Sequence, residues 1–215
     1  MFTGHYSAAF IAAAHPKAPG LGALFVGAQL VDFAFFTFVP LGVEAMRITP
    51  GISVMNPMDL YHMPYTHSLL GSLVWAVGFA TLLRLLIGNW TVGLIGGAVV
   101  LSHWVLDVLV HVPDMTIAGI PPRLGFGLWN YPAIEMPLEL AILAGSILIF
   151  ARAKPAALKS RALPTLIGLL MALQAFNWFA PPPVAVDIGM WGMGLAAFTI
   201  AALTASWVAR TRVAR

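Results

Sequence analysis

His103 and Asp107 stand four residues apart in a long apolar run, just over one helical turn, so both side chains project from one helix face. An ionised carboxylate at bilayer depth costs about 2.5–3.5 kcal/mol on insertion scales, so such a group is normally paired, hydrated or bound to a metal. Asp32, Asp107, Glu135 and Glu139 all fall in apolar stretches with no Lys or Arg at matching depth. The histidines gather with them. His67 caps the outer end of one helix, His103 and His111 climb the outer half of the next, and His5 stands about 15 Å above His15 at 1.5 Å per residue. A divalent cation among imidazoles and carboxylates supplies the missing positive charge. Protonation of some carboxylates, or a water-filled proton path, is the competing solution.

The elements that must position these groups are read from composition. Sixty per cent of the 215 residues are hydrophobic and nine per cent charged, which exceeds what one soluble domain can bury. The expected fold is all-α, a polytopic membrane helical bundle. Six runs approach bilayer length, at about 21–39, 68–87, 92–110, 133–151, 163–180 and 184–208. A shorter N-terminal helix stops at the two prolines of His15-Pro16-Lys17-Ala18-Pro19-Gly20 and cannot span alone. The N-terminus lacks the basic region of a signal peptide and is expected to be retained. The chain, 1–215, reads as a single integral membrane domain in which 1–114 carries the metal-type motifs and 133–209 adds spanning helices.

Loop charges give an orientation. Placing Lys17 in the cytoplasm puts Arg84, Arg152, Lys154, Lys159, Arg161, Arg210, Arg212 and Arg215 on the same side, and leaves only Arg47 and Arg123 opposite. The expected location is the cell's inner (cytoplasmic) membrane, with a cytoplasmic C-terminus and the site in the extracytoplasmic half. The basic excess is explained by topology, so no nucleic-acid partner is expected. Cysteine is absent, which excludes disulfides and thiolate metal sites. Imidazole and carboxylate without sulfur suit zinc, with manganese or ferrous iron as alternatives.

At these residues the chain resembles the LexA-regulated, membrane-bound metal-dependent hydrolases. The matching elements are Gly4-His5, Asp32, His62-Met63-Pro64-Tyr65-Thr66-His67-Ser68, and Leu101-Ser102-His103 followed by Asp107. They agree with the family in order and spacing and cover roughly 1–114. That family is in turn distantly similar to zinc-dependent phospholipase C and single-strand nucleases, all-helical enzymes with a cluster of zinc ions. The resemblance implies His5, Asp32, His67, His103 and Asp107 as ligands of one to three ions, with Asp107 bridging. Two departures stand out. Val31-Asp32-Phe33-Ala34 replaces Pro-Asp-x-Asp, and His62-Met63-Pro64-Tyr65-Thr66-His67 replaces His-Arg-Gly-x-Thr-His. One acidic group and one Arg able to hold a phosphate are therefore missing. The phospholipase relatives complete a further zinc site with a His-x-x-x-Glu pair, for which His111, Glu135 and Glu139 are the nearest candidates by depth.

The expected function is a metal-dependent hydrolase of phosphate esters of lipids or lipid-linked molecules, since a membrane-embedded site is most easily reached by a substrate already in the bilayer. The ions would lower the pKa of bound water towards about 7, and the hydroxide would attack phosphorus. Asp107 is expected to be catalytic, and Glu135 or Glu139 to move the proton. His62, His111 and Gln29 are candidates for ligation or for orienting a ligand, Gln29 lying one turn below Asp32. Bland readings run beside these. Thr66 could N-cap the next helix, Glu135 and Glu139 could simply favour a helix N-terminus, and Asp59 and Asp114 could form turns. Trp129, Tyr131, Trp178 and Trp191 fit an interfacial belt, and Gly93-x-x-x-Gly97 fits close helix packing. A proton- or ion-coupled transporter would use the same buried cluster, and a haem protein would use His67 and His103 as axial ligands. Membrane lipids are the expected partners.

Overall fold

A computed structural model describes residues 1–210; Arg212 and Arg215 of the charge argument lie outside the described residues. Eight α-helices carry the fold: α1 (Tyr6–Ala14), α2 (Leu21–Ala28), α3 (Leu30–Phe38), α4 (Leu69–Ile87), α5 (Trp90–Val110), α6 (Pro132–Ala153), α7 (Ala162–Phe179) and α8 (Ile188–Arg210). α4 to α8 are each long and apolar enough to cross a membrane. Their outward faces are apolar as well. On α4, Leu70, Val74, Val77, Leu85 and Leu86 are exposed, a surface that suits hydrocarbon rather than water.

The bundle is built around one of its short helices. α1 buries Tyr6, Ala9, Phe10 and Ala13 almost completely and packs against α2, α5 and α6. Phe10 meets Phe25 and Phe150 edge-on with ring centroids 5.4 Å apart. α4 and α5 form a tight hairpin. Ser68 accepts a hydrogen bond from Gly71 N to cap α4, Gly88 closes that helix at φ +81°, and Asn89 caps α5 through Thr91 N. Ser68, not Thr66, is therefore the N-cap. A Cβ on Gly97 would lie 2.9 Å from Ala76 O, and one on Gly93 would collide with Ala80 O, so this glycine pair does serve close packing.

The run expected as one span at 21–39 is two helices bent by 47° at Gln29. No proline stands there. At the break the Ala28 carbonyl accepts the Nδ1–H of His103 at 2.7 Å, and the Gln29 amide donates to Phe2 O at 3.2 Å. Polar contacts with neighbouring elements thus accompany the bend. With α2 and α3 taken as one bent span, the described residues hold six candidate membrane spans and one partial helix.

The two long loops at one end hold small antiparallel ribbons. β1 (Ala45–Ile48) pairs with β2 (Met58–His62), placing Arg47 opposite Asp59, and β3 (Met115–Thr116) pairs with β4 (Arg123–Leu124). Asp59 is not a turn residue. Its Oδ2 accepts from Arg47 Nε at 2.6 Å across the ribbon. Trp191, expected at an interface, is buried against Phe36 with ring centroids 5.7 Å apart.

Candidate metal centre

Four segments bring their polar groups to the ribbon end of the bundle. α5 supplies His103 and Asp107 one turn apart, and His111 follows immediately after its last turn. The segment before α4 supplies His67, α3 supplies Asp32, and the turn before α1 supplies His5. Apart from Asp32, whose side chain is 18% exposed, all are buried.

Asp107 is the centre. Its Oδ1 lies 3.1 Å from His5 Nε2 and 3.7 Å from His111 Nε2, while Oδ2 lies 3.0 Å from His103 Nε2 and 3.8 Å from His67 Nε2. Asp32 Oδ1 stands 3.2 Å from His67 Nε2 and 3.5 Å from His103 Nε2. Two triads result: His5, His103 and Asp107, and Asp32, His67 and His103, each with its ligand atoms within 4.8 Å of one another. The Met1 amino nitrogen also reaches Asp107 Oδ1 at 3.1 Å. The His5 and His103 rings stack nearly parallel, 3.7 Å between centroids.

The far side of three rings fixes which nitrogen holds the proton. His103 Nδ1 faces the Ala28 carbonyl, which only accepts, so Nδ1 is the donor. His111 Nδ1 donates to Asp114 Oδ1 at 2.9 Å. His67 Nδ1 donates to Thr66 Oγ1 at 2.7 Å, because the single hydroxyl hydrogen of Thr66 is committed to Glu44 Oε2, also at 2.7 Å. A ring that carries its proton only at Nδ1 turns the lone pair of Nε2 towards a carboxylate oxygen. Two electron-rich atoms face each other, which requires a proton or a cation between them.

The atoms present fit a divalent ion. Ligand bonds of about 2.0–2.1 Å at tetrahedral angles place neighbouring ligand atoms about 3.4 Å apart, close to the separations above. His103 Nε2 and both ring nitrogens of His5 are buried without a hydrogen-bond partner, as donors awaiting a ligand would be. Burial pushes the His5 imidazole down to about 4, so it is neutral at pH 7. His5, Asp32, His67, His103 and Asp107 could hold one or two ions, with His103 common to both triads and Asp107 Oδ2 3.8 Å from His67 of the second.

The remaining candidates separate. Glu139 is not a free carboxylate: Oε1 accepts from Phe2 N at 2.7 Å and Gly4 N at 2.8 Å, and Oε2 accepts from Gln174 Nε2 at 2.9 Å. Protonation there would break a bond, so Glu139 holds the turn that carries His5 rather than moving protons. Gln174 completes the clamp by accepting from Thr3 N and Thr3 Oγ1. Glu135 differs, being fully buried with both oxygens unpartnered. Gln29 donates to Phe2 O rather than to Asp32. His62 is exposed at the end of β2 and belongs to neither triad. Trp129 packs on the His111 ring at 4.2 Å, so its role is local to the site.

Three contributors escape sequence reasoning or are misjudged by it. Glu44 is a buried acid in the loop after α3, and its only sequence signal is a charge in a largely apolar stretch that it shares with Arg47. Asp114, read as a turn former, is buried and orients His111. Gln174 shares an apolar helix with one other amide, Asn177, and a polar residue at that depth is itself the signal.

Fold and site together define an integral membrane helical bundle with a buried His/Asp cluster able to hold a metal ion. No family model matches the chain, and neither curated proteins nor solved structures give a significant match.

Proposed function

We propose that the protein is a membrane-embedded metal-dependent hydrolase acting on phosphate esters of lipids or lipid-linked molecules. One observation carries the reading: imidazoles from separate elements, each held at Nδ1, turn Nε2 onto the carboxylates of Asp107 and Asp32. The motif resemblance to the LexA-regulated hydrolases supports it. A divalent ion, zinc being favoured by the sulfur-free donor set, supplies Lewis acidity to a water and to the ester oxygen. The protein's own groups do the rest. Asp107 presents an oxygen to each side of the cluster, and the clamp from Glu139 and Gln174 keeps His5 in reach. Glu135, buried and unpartnered, is the carboxylate free to take a proton. The positive-inside distribution supports a site in the extracytoplasmic half of the cytoplasmic membrane.

Elemental content of the detergent-purified protein, followed by metal-dependent assays against phospholipids and lipid phosphates, tests the proposal. Asp107→Ala is expected to lower bound metal and turnover together; full metal and full activity in that variant remove Asp107 from the mechanism. A transporter is the second reading, favoured by the helix break at Gln29 beside Asp32, since discontinuous helices line many transport sites. Substrate-driven proton flux in liposomes without product formation would select it.

A further inference from the structure

A second polar feature lies outside the metal triads, on the loop surface above them. The end of β2 and the β3–β4 ribbon enclose a small open cleft of about 50 Å³, and its wall includes His62, Pro64, Asp114, Thr116, Gly119 and Arg123. Two of these residues bear on the cluster through short connections. Asp114 holds the His111 ring, and the segment 62–64 runs directly into His67. The walls meet tightly, since a Cβ on Gly119 would lie 2.6 Å from Pro64 Cβ, and Gly119 N donates to Thr116 Oγ1.

Arg123 is the cation of this cleft. It is exposed, and among the described residues no carboxylate lies within ion-pair distance of it, whereas Arg47, the other arginine of these loops, is spent on Asp59. His62 lines the same cleft, exposed, and its side chain has no hydrogen-bond or ion-pair partner among the described residues. An unpaired guanidinium fork beside an imidazole suits a tetrahedral oxyanion, which accepts several hydrogen bonds at once.

We infer that the cleft between β2 and the β3–β4 ribbon is a phosphate subsite, in which Arg123 and His62 hold the phosphate group of the substrate next to the metal cluster. This rests on the hydrolase reading and names what the site takes: a molecule carrying a phosphate, on a lipid headgroup or free. The subsite binds without chemistry, so it is tested without turnover.

The test uses the full chain in phosphatidylcholine nanodiscs after chelator treatment, which removes cation-mediated phosphate binding, and titrates inorganic phosphate calorimetrically. Arg123→Ala is expected to weaken binding roughly tenfold or more, the loss of a charge-assisted hydrogen bond, and Arg123→Lys to retain part of it. Arg47→Ala is the control and should change nothing. A second arm replaces part of the phosphatidylcholine with phosphatidic acid. Loss of inorganic phosphate binding in those discs identifies a lipid headgroup as the occupant, and unchanged binding identifies a free phosphate. Wild-type protein that binds neither ligand, or Arg123→Ala protein that binds like wild type, overturns the subsite. Arg123-dependent binding in a protein that hydrolyses no ester overturns only the hydrolase reading.

Discussion

Glu44→Gln should disarm His67 while leaving the fold almost untouched. Glu44 Oε1 accepts from Tyr65 N at 2.8 Å and Thr66 N at 2.9 Å, and Oε2 accepts from Thr66 Oγ1. In the glutamine variant the amide oxygen keeps the two backbone donors, so its NH2 faces Thr66 Oγ1. The hydroxyl must then accept from the amide and send its hydrogen to His67 Nδ1. That ring moves its own proton to Nε2, which faces Asp32 Oδ1 at 3.2 Å. A metal-binding lone pair becomes a hydrogen-bond donor, and Asp32 is occupied with it. Disturbing such an outer partner typically weakens metal binding about 10–100-fold, or about 1.4–2.7 kcal/mol. The melting temperature should move little, because the two backbone donors and the Thr66 hydroxyl keep acceptors and only the second N–H of the new amide lacks one. Thr66→Val provides the contrast: it strands the His67 Nδ1–H in the interior and should cost about 1–3 kcal/mol of stability. Zinc affinity would be measured by competition with a chromophoric chelator in detergent, alongside thermal unfolding. Wild-type affinity in Glu44→Gln would refute the tautomer argument and remove His67 from the ligand set.

Two further outcomes follow from packing. Gln174→Met removes the acceptor for Thr3 N and Thr3 Oγ1 and the donor to Glu139, and each stranded polar group costs about 1–3 kcal/mol; the melting temperature and the metal affinity should fall together, and a fall in neither would show that the clamp does not set His5. Gly93→Val drives a side chain into the Ala80 carbonyl and should destabilise the α4–α5 hairpin by about 1–3 kcal/mol, whereas Gly78→Ala, with open space around its Cβ, should be tolerated in the same thermal assay.

The membrane spans and the His103–Asp107 pair are legible in the sequence because both are periodic signals. Hydropathy marks α4 to α8, and a separation of four residues puts two side chains on one helix face. What was not legible depends on tertiary partners. Depth placed Glu135 and Glu139 together, yet only coordinates show that Glu139 is occupied by three donors and Glu135 by none. Glu44 acts on Thr66, 22 residues away, with no local pattern to announce it. The bend at Gln29 lacks a proline, and the ribbon strands of two to five residues are too short for a period-2 signal to stand out.

The enclosure of α1 sets the order in which the protein can be completed. Its neighbours include α6, and the turn before it is held by Glu139 on α6 and Gln174 on α7. During synthesis His5 therefore emerges long before the residues that hold it in place, and a chain halted after α5 would contain all five proposed ligands while lacking the means to fix one of them. Completion of the triad that contains His5 therefore has to wait for the second half of the bundle.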